Sequence, residues 1–204
     1  MPELTLFLLA SAALTIAPGP DNMQVLMRGI SQGRAAGVTA ALGFAAGCLF
    51  HTLLAAVGLA AVLRSSPVAF EIVKVAGGLY LVWIGWQALR SRGAFSLEAG
   101  RPAAPKAAIF RQSVLGNMMN PKVTLFFLVF LPQFVDREAG RPELQMALLG
   151  LVFMAQTVVI FGAIGLAAGA VGRWLTRRPG AALWLNRMAG ATFIALGVRA
   201  AWPG

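Results

Sequence analysis

The 204-residue chain is 58% hydrophobic and only 12% charged, with a mean hydropathy of +0.75, whereas soluble domains are about 45–50% apolar and about 25% charged. This composition excludes an ordinary soluble domain and predicts an all-α, polytopic membrane protein. The net charge of +10 does not indicate a nucleic-acid partner, because the basic residues lie between apolar stretches, where they record orientation in the bilayer.

Six apolar segments are long enough to cross a hydrocarbon core, which takes about 20 helical residues. The first and the fourth contain prolines and reach this length by continuing across a break. We expect the first to stay in the mature protein, because it lacks the basic leader of a signal peptide and carries Glu3 instead. The six segments are residues 4–32, 37–63, 68–89, 111–133, 144–171 and 182–202.

The first segment is interrupted by Pro18, Gly19 and Pro20. Each proline removes a backbone donor and clashes with the preceding turn, so we expect the helix to open there. Backbone groups freed at membrane depth are tolerated only inside protein or along a cavity. Asp21 and Asn22 follow the break, where they would cap the next helix or bind a substrate, and the two roles are compatible. A charged group in hydrocarbon costs at least ~2.5–3.5 kcal/mol, which favours a functional role for Asp21.

Three more polar residues are candidates for contacts with the substrate-binding residues rather than with the substrate itself. Gln24 follows the first break, His51 lies near the centre of the second segment, and Gln156 lies near the centre of the fifth. A lone histidine on an apolar face is more often structural, and a lone glutamine more often joins two helices. The single cysteine, Cys48, cannot form an intrachain disulfide and is expected to be a small core residue.

The fourth segment is interrupted at Asn120, Pro121 and Lys122. Asn117 and Asn120 are three residues apart and share a helix face, so they extend a polar stripe towards the lysine. A lysine on the first turn of an apolar run could also snorkel to a surface. The stripe favours a buried site, and Asn117, Asn120 and Lys122 therefore join the candidate substrate-binding residues of the first break.

The two halves of the chain resemble each other. Residues 74–80 in the third segment match residues 187–193 in the sixth, with a basic residue, an Ala-Gly pair and an aromatic residue in one register. The two breaks, each a proline followed by a charge, also fall at corresponding places. Three crossings per repeat force the second copy to run upside down, a known architecture of secondary transporters. The alternative is a chance recurrence of Ala-Gly-aromatic in apolar helices.

The sequence thus predicts one transporter domain, residues 1–204, made of two inverted three-helix repeats. Repeat one covers about residues 1–89 and repeat two about residues 111–204. The connector between them, about residues 90–110, is rich in Arg, Pro and Ala and is expected to lie in solvent.

The basic residues are divided unequally between the two sides of the membrane. Positive charge is retained in the cytoplasm, so we expect both termini outside and the connector inside. Eleven basic residues fall on the cytoplasmic side: Arg28, Arg34, Arg90, Arg92, Arg101, Lys106, Arg111, Arg173, Arg177, Arg178 and Arg187. Five fall on the opposite side: Arg64, Lys74, Arg137, Arg141 and Arg199.

Four motifs, taken together and in this order, resemble the LysE/RhtB family of amino-acid exporters over nearly the whole chain. They are Pro-Gly-Pro-Asp-Asn at 18–22, Ser-Gln-Gly-Arg-Ala-Ala-Gly at 31–37, Ala-Gly-Gly-Leu-Tyr-Leu at 76–81 and Asn-Pro-Lys at 120–122. The resemblance implies efflux of amino acids or close derivatives across the bacterial inner membrane, driven by a proton or ion gradient. The residues of this sequence on which the family's motifs fall are Pro18, Gly19, Pro20, Asp21, Asn22, Asn120, Pro121 and Lys122.

An amino acid is a zwitterion, and a site with one carboxylate and one ammonium neutralises both of its ends. Asp21 would take the α-ammonium and Lys122 the α-carboxylate, and Asp21 could also accept the coupling proton. The apolar side chain would then lie against Met23, Met118 or Phe126. Besides substrate, the expected partners are a coupling ion and the lipid bilayer, and a homo-oligomer stays open.

Three other functions stay open from the residues alone. A small-cation exporter could use the same breaks, although the fixed charge of Lys122 would repel a metal. An intramembrane enzyme could use Asp21 or His51 as an acid or base, and a scaffold would need neither charge. The sequence has no P-loop, Cys/His metal cluster or nucleophile elbow, so we expect neither an enzyme, a cofactor nor a metal site.

Overall fold

The structure is a computed structural model that describes residues 4–90, 103–136 and 139–201. Every regular element in these ranges is helical, which confirms the predicted all-α class. Two π-helical turns occur: Leu54–Leu59 joins α3 to α4, and Phe126–Phe130 follows α7 and runs into a 3-10 turn, Leu131–Phe134. The helices are α1 (Leu4–Ile16), α2 (Pro20–Gln32), α3 (Arg34–Leu53), α4 (Ala60–Ser65), α5 (Pro67–Arg90), α6 (Lys106–Met118), α7 (Pro121–Leu125), α8 (Pro142–Arg177) and α9 (Pro179–Ala201).

Proline and glycine punctuate the described helices. Five helices begin with a proline, a position where its missing N–H costs no intrahelical hydrogen bond. Gly33 alone separates α2 from α3, with φ at +87°, a backbone conformation that strains a residue with a side chain. The connector was predicted to run to about residue 110, but α6 already begins at Lys106. The Pro105 carbonyl oxygen accepts hydrogen bonds from the Ala108 and Ile109 amides in the first turn of this helix. Most of the rest, residues 91–102, lies outside the described residues.

Within the part of the chain that the structure describes, three helical stretches are long and apolar enough to cross a membrane: Arg34–Val62, Glu71–Arg90 and Pro142–Leu175. Two further pairs pass the same test only when each bent pair counts as one span, which makes up to five. The first pair is α1 with α2, with an angle of 57° between them. The second pair is α6 with the segment Pro121–Phe134, with an angle of 47°. The predicted sixth crossing corresponds to α9, which does not meet this test of length and composition for a membrane span.

Helices α5 and α9 touch through glycine backbones. A Cβ atom on Gly78 would lie 2.8 Å from the Gly197 carbonyl oxygen, and one on Gly197 would lie 2.5 Å from the Gly78 carbonyl oxygen. Gly85 and Gly190 repeat this relation at 2.6 Å in both directions. Small residues allow such close approach between helices, as they do at membrane-helix interfaces.

These glycine contacts are reciprocal. Gly78 meets Gly197 while Gly85 meets Gly190, so the two contacts lie one on each side of the crossing of α5 and α9. The match of residues 74–80 with 187–193 stays a prediction.

Helices α3 and α8 show a second reciprocal contact. A Cβ atom on Gly37 would lie 2.9 Å from the Gly165 Cα atom, and one on Gly150 would collide with the Thr52 side chain. If the two halves are inverted repeats, Gly37 corresponds to Gly150 and Thr52 to Gly165. A two-fold axis in the membrane plane would produce this pattern in both helix pairs.

Replacing Gly85 by alanine should destabilise the protein, because the added Cβ forces α5 away from α9. Overpacking of this kind costs about 1–3 kcal/mol, and we expect a lower midpoint of thermal unfolding in detergent. Gly162→Ala on α8 is the matched control, since a Cβ there meets no atom within 4 Å. Equal midpoints for the two variants would contradict the glycine contact.

Candidate functional site

The candidate site lies where two helical gaps meet. The first gap separates α1, which ends at Ile16, from α2, which begins at Pro20, and it contains Pro18 and Gly19. The second gap separates α6, which ends at Met118, from α7, which begins at Pro121. Each gap is followed by one charged residue on the first turn of the next helix.

Asp21 reaches from the first gap into the second. Its Oδ2 atom accepts a hydrogen bond from Asn117 Nδ2 at 2.9 Å, at the end of α6. The Asn120 side chain also interacts with this carboxylate. Asp21 is only 4% exposed, so these amides replace the water that a surface carboxylate would have.

Lys122 reaches in the opposite direction, from the second gap into the first. Its Nζ atom donates to the Ala17 carbonyl oxygen at 2.6 Å, just beyond the end of α1. Carbonyls at a helix C-terminus attract a cation, and the Phe193 ring, 5.4 Å from Nζ, adds a cation–π contact. Gly19 adjoins the lysine, since a Cβ there would lie 3.4 Å from Nζ, in ordinary van der Waals contact.

Each charged side chain thus binds a group at the opposite gap, and the two side chains do not pair with each other. Among the described residues, no ion pair joins Asp21 to Lys122. Both face a cavity of about 20 Å³, roughly the space that one water molecule needs. An amino acid therefore fits only if the surrounding helices move apart. The polar residues that line the cavity besides these two are Thr15, Asn22, Asn117, Asn120 and Thr157.

The asparagines that flank the charges close the helix ends. Asn22 does not cap its own helix, as the sequence allowed, because α2 starts without a side-chain cap. Instead, Asn22 Nδ2 donates to the Thr15 carbonyl oxygen at 2.7 Å and satisfies the end of α1. Asn120 does cap its helix, since its Oδ1 accepts from the Lys122 amide at 3.0 Å. The buried Oδ1 atoms of Asn22 and Asn117 have no partner among the described residues.

The three further polar candidates lie away from the cavity wall. His51 is buried behind Asn117, with Nε2 3.0 Å from the Asn117 carbonyl oxygen. Gln156 joins α8 to α1, since its Oε1 accepts from Ser11 Oγ at 2.9 Å. Gln24 is half-buried and faces Gly116 on α6. Only His51 therefore touches a residue that lines the cavity.

The apolar part of the cavity is formed by residues that sequence reasoning missed. Met23, Met118 and Phe126, which were expected to hold the substrate side chain, do not line it. The apolar residues that do are Leu14, Val123, Phe153 and Phe161. One signal was present, because Phe153, Thr157 and Phe161 recur every four residues, as one helix face does. A helix that is apolar all round does not reveal which face points inward.

Neutralising Asp21 and Lys122 should show energetic coupling between them. Asp21→Asn and Lys122→Gln should each lower the midpoint of thermal unfolding, and the double variant should lose less than their sum. Neighbouring groups of one network couple by about 0.5–3 kcal/mol.

The matched control is the pair Glu71 and Lys74, 2.7 Å apart on α5, where Glu71 is 54% exposed. Exposed pairs contribute about 0–1 kcal/mol, so Glu71→Gln and Lys74→Gln should be nearly additive. Additive losses at the buried pair as well would contradict a shared site.

The chain matches the LysE type translocator family over residues 12–204. It is 32% identical over 198 residues to a leucine efflux protein of Enterobacter sp. (strain 638), covering 92% of this chain and 90% of that protein. It is 29% identical over 192 residues to a homoserine/homoserine lactone efflux protein of Salmonella typhimurium, covering 94% and 92%. An uncharacterized membrane protein of Vibrio cholerae is 31% identical over 193 residues, covering 94% and 93%. No solved structure matches the chain.

Proposed function

Because this chain belongs to the LysE type translocator family, we propose that it is a secondary-active exporter of amino acids or close derivatives in the bacterial inner membrane. The observation that carries the proposal is the pair of opposite charges around one cavity, Asp21 at 4% and Lys122 at 9% exposure. Buried charges in a membrane protein are costly and usually serve a substrate, an ion or a proton. The relatives named for leucine and homoserine efflux support a small zwitterionic substrate.

The proposed architecture is a single domain of six crossings in two inverted repeats. The reciprocal glycine contacts of α5 with α9 and of α3 with α8 support it. So do the two bent helix pairs, which fall at corresponding places in the two halves. The eleven-to-five division of basic residues supports termini outside and a connector inside.

In the proposed mechanism, the substrate replaces contacts that now hold the two gaps together. The α-ammonium takes the Asp21 carboxylate from Asn117, and the α-carboxylate takes the Lys122 ammonium from Ala17. A ligand shifts a conformational equilibrium only through contacts that differ between the states. Because the same two groups anchor the gaps and bind the zwitterion, substrate binding loosens the closed arrangement and allows the helices to move.

Asp21 is also the proposed site of proton coupling, because it is the acidic residue that lines the cavity. A proton that enters from outside would neutralise the carboxylate and weaken its hold on the ammonium. Export would then be coupled to proton entry, whereas exchange of internal for external substrate would need no net proton movement.

Asp21→Asn should abolish export against a gradient, and any exchange that remains should be weaker and no longer respond to a proton gradient. The measurement is uptake and counterflow of labelled leucine or homoserine in proteoliposomes, with and without a proton gradient. Glu143→Gln, in the first turn of α8 and away from the cavity, is the control and should leave both activities unchanged. An Asp21→Asn protein that still concentrates substrate would contradict coupling at this residue, and cation flux without amino-acid flux would contradict the proposed function.

A further inference from the structure

We propose that the cavity selects amino acids with uncharged side chains, and that Thr15 and Thr157, which line it, set the preference between hydroxylated and purely aliphatic ones. The inference rests on the proposed function, since it concerns the same cavity. It assigns roles to side chains on α1 and α8 that the two gap motifs do not contain.

The charges of the cavity exclude charged side chains. Asp21 and Lys122 are the ionisable residues that line it among the described residues, and the two ends of a zwitterion use both. An additional ammonium, guanidinium or carboxylate on the substrate would be buried without an opposite charge, which is strongly unfavourable. Basic and acidic amino acids should therefore bind far more weakly than neutral ones.

The acceptors around Asp21 suit a primary ammonium. Among the described residues, the Oδ1 atom of Asn22 has no partner and belongs to a residue that lines the same cavity, whereas the Oδ1 atom of Asn117 lies against Gly47 on α3. An ammonium group has three N–H donors, and the two carboxylate oxygens of Asp21 and the Asn22 Oδ1 atom offer three acceptors. These groups therefore suit the α-ammonium of the substrate.

The rest of the cavity lining combines apolar side chains with two hydroxyl groups. Leu14, Phe153 and Phe161 provide the apolar wall. Thr15 Oγ1 donates to the Ser11 carbonyl oxygen at 2.8 Å, and Thr157 Oγ1 donates to the Phe153 carbonyl oxygen at 2.8 Å. Each hydroxyl thus uses its single proton within its own helix and keeps lone pairs that can only accept.

This arrangement favours a side chain that is aliphatic or that ends in a hydroxyl donor. A substrate hydroxyl can donate to Thr15 or Thr157, and a methyl group can pack on the wall. The Cys48 thiol, whose Sγ atom lies 3.5 Å from the Phe44 carbonyl oxygen, also contacts the Thr157 side chain, so a substrate hydroxyl competes at Thr157 only with a weak S–H donor. Replacing a threonine by valine keeps its shape and removes the acceptor.

The test compares homoserine with norvaline, which differ only by a hydroxyl in place of a methyl group, and adds lysine as the charged substrate. Counterflow of each labelled compound is measured in proteoliposomes that contain the wild type, Thr15→Val, Thr157→Val or the double variant. We expect the wild type to transport homoserine and norvaline and to transport lysine at least tenfold more slowly. One lost hydrogen bond should lower the homoserine-to-norvaline ratio by about three- to tenfold in a single variant.

Two matched variants control for effects on folding. Thr192→Val removes a hydroxyl with the same contact, Thr192 Oγ1 to the Met188 carbonyl oxygen at 2.9 Å on α9, and should leave the ratio unchanged. Thr157→Ser retains the hydroxyl and should retain the ratio. If Thr157→Val cannot be recovered folded, Thr15→Val carries the same comparison.

The outcomes separate this inference from the proposed function. Lysine transport as fast as that of norvaline, an unchanged ratio in the recovered valine variants, or a wild type that rejects homoserine would overturn the inference while amino-acid export stands. Transport of none of the three compounds would overturn the proposed function itself.

Discussion

The crossed anchoring of two buried charges is the constraint on which the site depends. Asp21 leaves the first gap and is held by Asn117 at the second, and Lys122 leaves the second gap and is held by Ala17 at the first. Away from water, neither charge can be left without polar partners. Because each finds its partner in the other half of the chain, the two gaps must lie together. The glycine contacts of α5 with α9 and of α3 with α8 allow this close approach.

In the proposed mechanism, the same constraint links stability to transport. The cavity has room for little more than a water molecule, so the anchored state does not hold an amino acid. A zwitterion offers each buried charge an opposite charge, whose Coulomb attraction the neutral Asn117 amide and Ala17 carbonyl do not supply. The segment after the second gap changes from α7 to a π-helical and then a 3-10 turn. Such irregular helices occur often at functional sites, and this one adjoins Lys122.

Much of the fold was predictable because its signals are local. Apolar length and proline positions predicted helix bounds close to those of the structure. The stripe of Asn117 and Asn120 was expected to lead to Lys122, and the structure shows that Asn117 binds Asp21. The positions of Thr15 and Thr157 on the cavity wall were not predictable, since a uniformly apolar helix does not show which face meets its neighbours.

The most direct test of the account is whether the site requires both charges of its substrate. Counterflow of labelled leucine can be challenged with unlabelled leucine, with 3-methylbutylamine, which lacks the carboxylate, and with 4-methylpentanoate, which lacks the ammonium. The account predicts that leucine competes and that both singly charged analogues fail at the same concentration, because each leaves one buried charge without its partner. Competition by the amine or the acid as strong as that by leucine would contradict the zwitterion site formed by Asp21 and Lys122.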